Sequence, residues 1–340
     1  MTRALFFRKS YLSLFAIIFI SSLSFSQQDP MFTKYMFNSL IFNPAYAGSK
    51  EHMAITLLHR DQWWNIEGGP RTQSFTIHSP LNEERVALGL GLYNDVIGPT
   101  RTVSIMTSYA YRLELGEGGK LSFGLQAGMM NWQADYTQLI LDNPTDFAFM
   151  EATPNFWKPN FGVGIFYYTD FFYVGLSVPH ILDIELYEDA PPDFIARQFR
   201  HYFLTAGLAI PLQGSRSTVF KPSILIKNVG LFGEFRNPTH TYANIGAPTE
   251  MDIDISFLFH DALWVGASFR TALEAFVNQT SSFDSVDFWA AYYLRKGFRI
   301  GVSYDFTLTQ LRPYAQGTFE LMLGYEFNYK GEVIQHVRYF

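Results

Sequence analysis

Cysteine is absent from this sequence, which excludes disulfides, thiol catalysis, cysteine-ligated zinc and lipid attachment at a cysteine. Charge is scarce: Asp, Glu, Lys and Arg make up 16% of the chain, against about 25% in soluble domains. No apolar run approaches the ~18 residues that a transmembrane helix needs, save one at the N-terminus. A helical membrane protein is therefore excluded, and an ordinary soluble domain is a poor fit. What the chain has instead is aromatic: 34 Phe, 20 Tyr and 6 Trp among 340 residues. That composition suits a surface that mostly meets lipid.

The N-terminal exception is a signal peptide. Arg3, Arg8 and Lys9 precede an apolar core from Tyr11 to Ile20, followed by Ser21, Ser22, Ser24 and Ser26. A basic segment, an apolar segment and small residues at a cleavage point mark residues 1–26 for export, with cleavage expected after Ser26. The remaining chain holds 22 basic against 31 acidic residues, a formal charge of −9. A negative exported chain argues against nucleic acid as a partner.

From about His52 to Phe327 the sequence alternates. Leu88, Leu90 and Leu92 interleave with Ala87, Gly89 and Gly91; Leu121, Phe123 and Leu125 with Ser122, Gly124 and Gln126. Phe298, Ile300, Val302, Tyr304 and Phe306 interleave with Arg299, Gly301, Ser303 and Asp305. Period-two patterning places the two sets on opposite faces of a strand, in two different solvents. A soluble sandwich would carry Lys, Glu and Thr on its outer face; Gly and Ser here suit a crowded lumen. The reading is an all-β, transmembrane antiparallel β-barrel of about fourteen strands in the cell outer membrane, spanning residues 52–340.

The links between strands support that reading. One set is short: Pro80–Glu83, Gly116–Lys120, Thr169–Asp170, Pro211–Arg216, His260–Ala262 and Arg295–Gly297. The other set is long, with Asp61–Arg71, Tyr136–Pro159, Pro179–Phe199, Asn228–Thr249, Thr271–Ser282 and Leu308–Gln316; only Asn94–Thr100 in it is short. Short periplasmic turns and long extracellular loops are the outer-membrane pattern, and an even strand count leaves both termini in the periplasm. Tyr93, Tyr111, Trp132, Tyr167, Tyr168, Trp264, Trp289 and Tyr304 near strand ends are candidates for interfacial girdles. The tail ending in Tyr339-Phe340 is either wall or a periplasmic extension.

Asp252 and Asp254 share a face with neither Ile253 nor Ile255, and at mid-bilayer a lipid-facing carboxylate costs energy. They are expected to line the lumen with Glu320 and Glu326. Catalytic patterns are lacking. There is no nucleophile elbow, no His-Glu-x-x-His and no phosphate-cradling loop. His59 and His78 fall on neighbouring strands near Ser74 and Ser79, but strand-end polar residues are the default reading, and no enzymatic activity is expected. The acidic loop that includes Glu185, Glu188 and Asp189 matches no calcium-loop spacing, so neither metal nor cofactor is expected. With Pro191-Pro192 it offers a stiff acidic surface to a partner. Trp63-Trp64, followed by Gly69-Pro70, is the other candidate contact loop, either folded back on the rim or held out to a partner.

Residues 27–51 do not alternate. Their first half reads as a short amphipathic helix, stopped at Asn43-Pro44, and so apolar a segment calls for cover as a plug or hatch in the barrel mouth. The run Tyr35-Met36-Phe37-Asn38…Phe42-Asn43-Pro44-Ala45-Tyr46-Ala47-Gly48, with Arg60-Asp61-Gln62-Trp63-Trp64 and Gly69-Pro70-Arg71-Thr72-Gln73-Ser74, resembles the opening of the PorP/SprF family. That resemblance implies an outer-membrane protein of type IX secretion that supports export or surface attachment of a large gliding adhesin-like protein. It further implies as partners that cargo, with its C-terminal sorting domain, and a periplasmic peptidoglycan-binding protein. Asn43-Pro44-Ala45 is also similar to the hatch motif of FadL-type barrels, which have fourteen strands. This leaves a transporter of hydrophobic small molecules as the alternative; a water-filled porin is disfavoured by the hatch.

Overall fold

The computed structural model describes residues 32, 34–81, 85–140, 153–185, 197–212, 218–229, 248–273, 275, 283–294 and 297–327. The signal segment and the C-terminal tail lie outside the described residues. The alternating stretches form β1 (Met53–Asp61), β2 (Arg71–Pro80), β3 (Val86–Ile97), β4 (Thr100–Glu114), β5 (Lys120–Ala134), β6 (Asn155–Tyr168) and β7 (Phe172–Val178). They continue as β8 (His201–Leu208), β9 (Thr218–Val229), β10 (Glu250–Phe259), β11 (Leu263–Ala272), β12 (Phe283–Tyr293), β13 (Phe298–Thr307) and β14 (Thr318–Phe327).

Each strand pairs antiparallel with the next, and β14 returns to β1, with Met53 opposite Phe327 and Asp61 opposite Phe319. The result is a closed barrel of fourteen strands. Closure leaves no unpaired edge, which is the condition for crossing a bilayer with strands. Among the described residues no helix is long and apolar enough to cross a membrane.

The two faces separate as the pattern demands. On β4, Ser104, Met106, Ser108, Ala110 and Arg112 are buried, while Ile105, Tyr109 and Tyr111 are exposed. On β13, Arg299, Gly301, Ser303 and Asp305 are buried, and Phe298, Ile300, Val302, Tyr304 and Phe306 are exposed. Asp252, Asp254, Glu320 and Glu326 are all on the buried, lumenal side. The outer wall is the inverse of a soluble protein, greasy outside and polar within.

The girdle expectation fails for half of its members. Tyr93, Tyr168, Trp264 and Trp289 point inward and are buried, whereas Tyr111 and Tyr304 are exposed on the outer face. Trp132 is half-buried and stacks on Phe156, ring centroids 5.3 Å apart. The reason is that the segment ahead of β1 packs against inward rings such as Trp264, Trp289 and Tyr168, so an aromatic ring gains from either face. The links also differ in detail. Asn94–Thr100 shrinks to Gly98-Pro99, because β3 runs to Ile97 and Gly98 takes the positive φ of 53° that a tight turn requires. The link after β5 is shorter than the pattern implies, since β6 already begins at Asn155. Pairing between β8 and β9 lapses where Leu208 and Ala209 meet Lys221 and Pro222, and Pro222 has no N–H to give to a ladder.

Candidate functional site

The chain segment ahead of β1 folds inside the ring. Its first half is shorter in helix than expected: a 3-10 turn at Tyr35–Phe37, one α-turn at Ser39–Phe42, and a second 3-10 turn at Pro44–Tyr46. Asn43 separates the last two. Its Oδ1 accepts from the Ala45 amide at 2.9 Å, and its Nδ2 donates to the Ile165 carbonyl of β6 at 3.1 Å. Pro44 occupies the first position of its turn, where an amide would lack a partner anyway.

This Asn43-Pro44-Ala45 turn presses on two glycines that face each other across strands, Gly124 of β5 and Gly164 of β6. A Cβ on Gly124 would overlap the Ala45 nitrogen, and one on Gly164 would overlap Asn43 Oδ1. Gly89, farther round the ring, lies under Leu40. Small residues on the second face therefore make room for the hatch. At Gly48, with φ of 75°, the segment turns toward β1, and its amide donates to His78 Nδ1 at 3.0 Å.

Aromatic and polar contacts fix the other end. The Phe37 ring meets Trp264 and Trp289 edge-on, at 4.7 and 5.4 Å between centroids, an arrangement favoured by ring quadrupoles. Asn38 Nδ2 donates to Ser74 Oγ at 2.9 Å, and Thr76 Oγ1 donates to Asn38 Oδ1 at 3.3 Å. Lys34 gives its amide to Glu320 Oε1 at 3.2 Å and its Nζ to Ser268 Oγ at 2.7 Å.

Above this level the lumen is crossed by buried charge. Arg60 Nη1 reaches Asp305 Oδ2 at 2.8 Å and Glu320 Oε2 at 3.4 Å. Arg270 grips Asp252 with two nitrogens, at 2.7 and 3.0 Å, and Glu250 Oε1 lies 3.1 Å from its Nε. Lys227 completes that group at 2.7 Å from Glu250. Arg270 Nη2 also donates to the Phe32 carbonyl at 3.4 Å, so the hatch is part of the network. Lower down, Glu326 joins His52 at 3.1 Å and Arg299 at 3.6 Å, while Arg112 donates to the Ala47 carbonyl at 3.4 Å. Charges so deeply buried persist only when paired. Here they stitch wall to wall and wall to hatch.

The sequence matches the family model of the type IX secretion system membrane protein PorP/SprF over residues 24–325. The chain belongs to the PorP/SprF family. No curated protein sequence matches it. Among solved structures it is similar to the toluene transporter TbuX of Ralstonia pickettii, at 10% identity and a TM-score of 0.50, covering 85% of this chain and 92% of that one. The CymD monoaromatic hydrocarbon channel follows at 11% identity and a TM-score of 0.49, covering 88% and 94%. A Pseudomonas aeruginosa FadL homologue has 10% identity and a TM-score of 0.44, covering 88% and 95%. Identities this low speak for fold alone, and the protein is an outer-membrane barrel.

In this PorP/SprF barrel Asn43, Pro44, Ala45 and Gly48 come together in the lumen, whereas Trp63, Trp64, Gly69 and Pro70 lie on the long-link rim. Trp63 has a φ of 56° and Trp64 is 53% exposed. The Trp64 backbone exchanges two hydrogen bonds with the β13–β14 link, donating to Gly317 at 2.7 Å and accepting from Gln316 at 3.0 Å. The Pro70 carbonyl accepts from Gln62 at 2.8 Å, and a Cβ at Gly69 would lie 2.8 Å from the Gln62 oxygen. The loop is thus tied back at its backbone with the Trp64 indole left outside. Glu185 falls in a two-residue ladder, opposite Arg197; Glu188 and Asp189 lie outside the described residues. His59 and His78 do not assemble with a serine: His59 sits opposite Gln73 and bonds Asp61, and His78 receives Gly48. Sequence reasoning missed Arg60, Arg270 and Arg299 as partners of the lumenal acids, although parity had already put them on the same face.

Proposed function

We propose that this barrel is a non-enzymatic support for type IX secretion, engaging a large exported surface protein through its long-link rim. The family match over residues 24–325 carries the reading. Two features of the fold support it. A hatch fixed by side chains from many strands suits a docking platform better than a diffusion pore. The Trp64 indole, presented on a loop with a restrained backbone, is the kind of rigid aromatic that anchors protein interfaces. A cargo with a C-terminal sorting domain and a periplasmic peptidoglycan-binding protein are the partners this role needs. Deleting the gene and probing the cell surface for a large adhesin tests it: surface display should fall while the adhesin accumulates inside. The Trp64→Ala variant should reduce display by about tenfold, the loss of one anchor worth ~1.4 kcal/mol, without altering barrel abundance. Undiminished display in the deletion strain would refute the role.

One observation favours the transporter alternative. A small, mostly apolar pocket is lined by Met36, Tyr46, Phe166, Tyr173, Lys221 and Trp264 and extends to Leu208 and Pro222, where β8 and β9 stop pairing. Slower uptake of a labelled fatty acid in the deletion strain, with adhesin display intact, would select this second reading.

A further inference from the structure

The outer wall is mostly apolar. Near the long-link rim, outward-facing side chains of four adjacent strands form a continuous hydrogen-bonded ladder. Arg101 Nε of β4 donates to Asn94 Oδ1 at 2.6 Å, and Asn94 Nδ2 of β3 donates to Gln73 Oε1 at 2.6 Å. Gln73 Nε2 of β2 lies 3.3 Å from His59 Nδ1, and His59 Nε2 of β1 lies 3.0 Å from Asp61 Oδ2. Arg71 Nε closes the row on Asp61 Oδ1 at 2.6 Å. Donation thus runs one way along the row and ends on a single carboxylate that also takes Arg71.

Two cations flank one anion, so the strip is net positive on a protein that is negative overall. Register places Arg71 opposite Val96 and Val96 opposite Arg101. The two guanidinium stems therefore start about 10 Å apart, two inter-strand spacings. Each arginine uses Nε on the ladder, and the Arg71 side chain is 63% exposed. Two residues below the His59–Gln73–Asn94 row, and four residues or about 13 Å below Arg71 and Arg101, the same face turns apolar with Leu57, Phe75, Leu92 and Ile105. Elsewhere on the ring the outward positions near this rim are Met251, Phe306 and Phe319. Uncharged polar residues continue outward onto β5 and β6 at Asn131, Gln133 and Asn155, but the two arginines sit on β2 and β4.

We infer that the outer face of β1–β4 binds the phosphate group of an outer-leaflet lipid through Arg71 and Arg101. The occupant must be amphiphilic, because whatever reaches the arginines also lies against Leu57 and Ile105. It must be anionic, because charge-assisted bonds from guanidinium forks favour phosphate. A phosphorylated lipid meets both demands; a free anion meets one.

The test uses the full mature chain in detergent micelles, equilibrated with phosphorylated lipid A, its dephosphorylated form or inorganic phosphate, with bound lipid counted by native mass spectrometry. The phosphorylated lipid should be retained and the dephosphorylated form lost. The double variant Arg71→Gln/Arg101→Gln should bind about tenfold more weakly. Asn94→Ala, which unhooks Arg101 but keeps both charges, should show a smaller loss and guards against misfolding of the double variant. Arg85→Gln, at the other rim, should bind as the wild type does. Equal retention of both lipid forms, or unchanged affinity in the double variant, would overturn the assignment. So would displacement of the lipid by inorganic phosphate, or loss of a co-purifying membrane protein with lipid binding unchanged.

Discussion

At the scale of single residues, the lumenal arginines are the most demanding. Arg270 is 2% exposed and holds Asp252 and Glu250. Removing it strands Asp252 in a packed interior and leaves Glu250 with Lys227 alone, a change that costs about 3–5 kcal/mol. Arg270→Ala should therefore lower the denaturant midpoint of the refolded barrel, measured by loss of strand signal. Arg270→Lys, which keeps the charge but not the two-pronged grip, should fall between. Equal midpoints for all three would mean that the network adds nothing to stability. Gly164 makes a different demand, since its missing Cβ is the space Asn43 occupies. Gly164→Val should leave the strand content intact yet expose residues 34–50 to protease, because β-branched residues suit the wall while the hatch is displaced. A wild-type digestion pattern would show that the turn has room to spare.

At the scale of elements, the hatch is the part with two fates, bound or expelled. Deleting residues 32–50 removes the contacts of Phe37, Asn43 and Lys34 and opens the lumen. In planar bilayers the shortened barrel should conduct steadily while the intact one does not. Identical traces would show that the hatch leaves a path open. Much of this element plan was legible beforehand. Alternation located the strands because each separates lipid from a polar interior, and the apolar stretch Tyr35–Gly48 announced that it needed cover. What the chain did not reveal follows from register. Arg60 meets Asp305 only because β1, β14 and β13 lie side by side at the closure of the ring, a neighbourhood built from ends of the chain far apart in sequence. The inward aromatics were misread for a related reason. Tyr93, Tyr168, Trp264 and Trp289 are buried in a lumen that the hatch fills, and that filling is invisible to the strands alone.

At the scale of the whole molecule, the claim is a closed ring across the outer membrane with its long links outside and its hatch entering from the periplasmic rim. Family membership, the ring of fourteen strands and the inverted polarity agree on the ring, while the orientation is argued from link lengths and an even strand count. The absence of cysteine makes this unusually easy to test, because any thiol introduced is the only one in the chain. Glu67→Cys lies in the link between β1 and β2, and Gly116→Cys lies in the link between β4 and β5, where a side chain meets nothing within 4 Å. Intact cells treated with a membrane-impermeant maleimide should label the first variant and spare the second until the outer membrane is breached. Labelling of both in intact cells, or of Gly116→Cys alone, would contradict the orientation and the secretion role built on it.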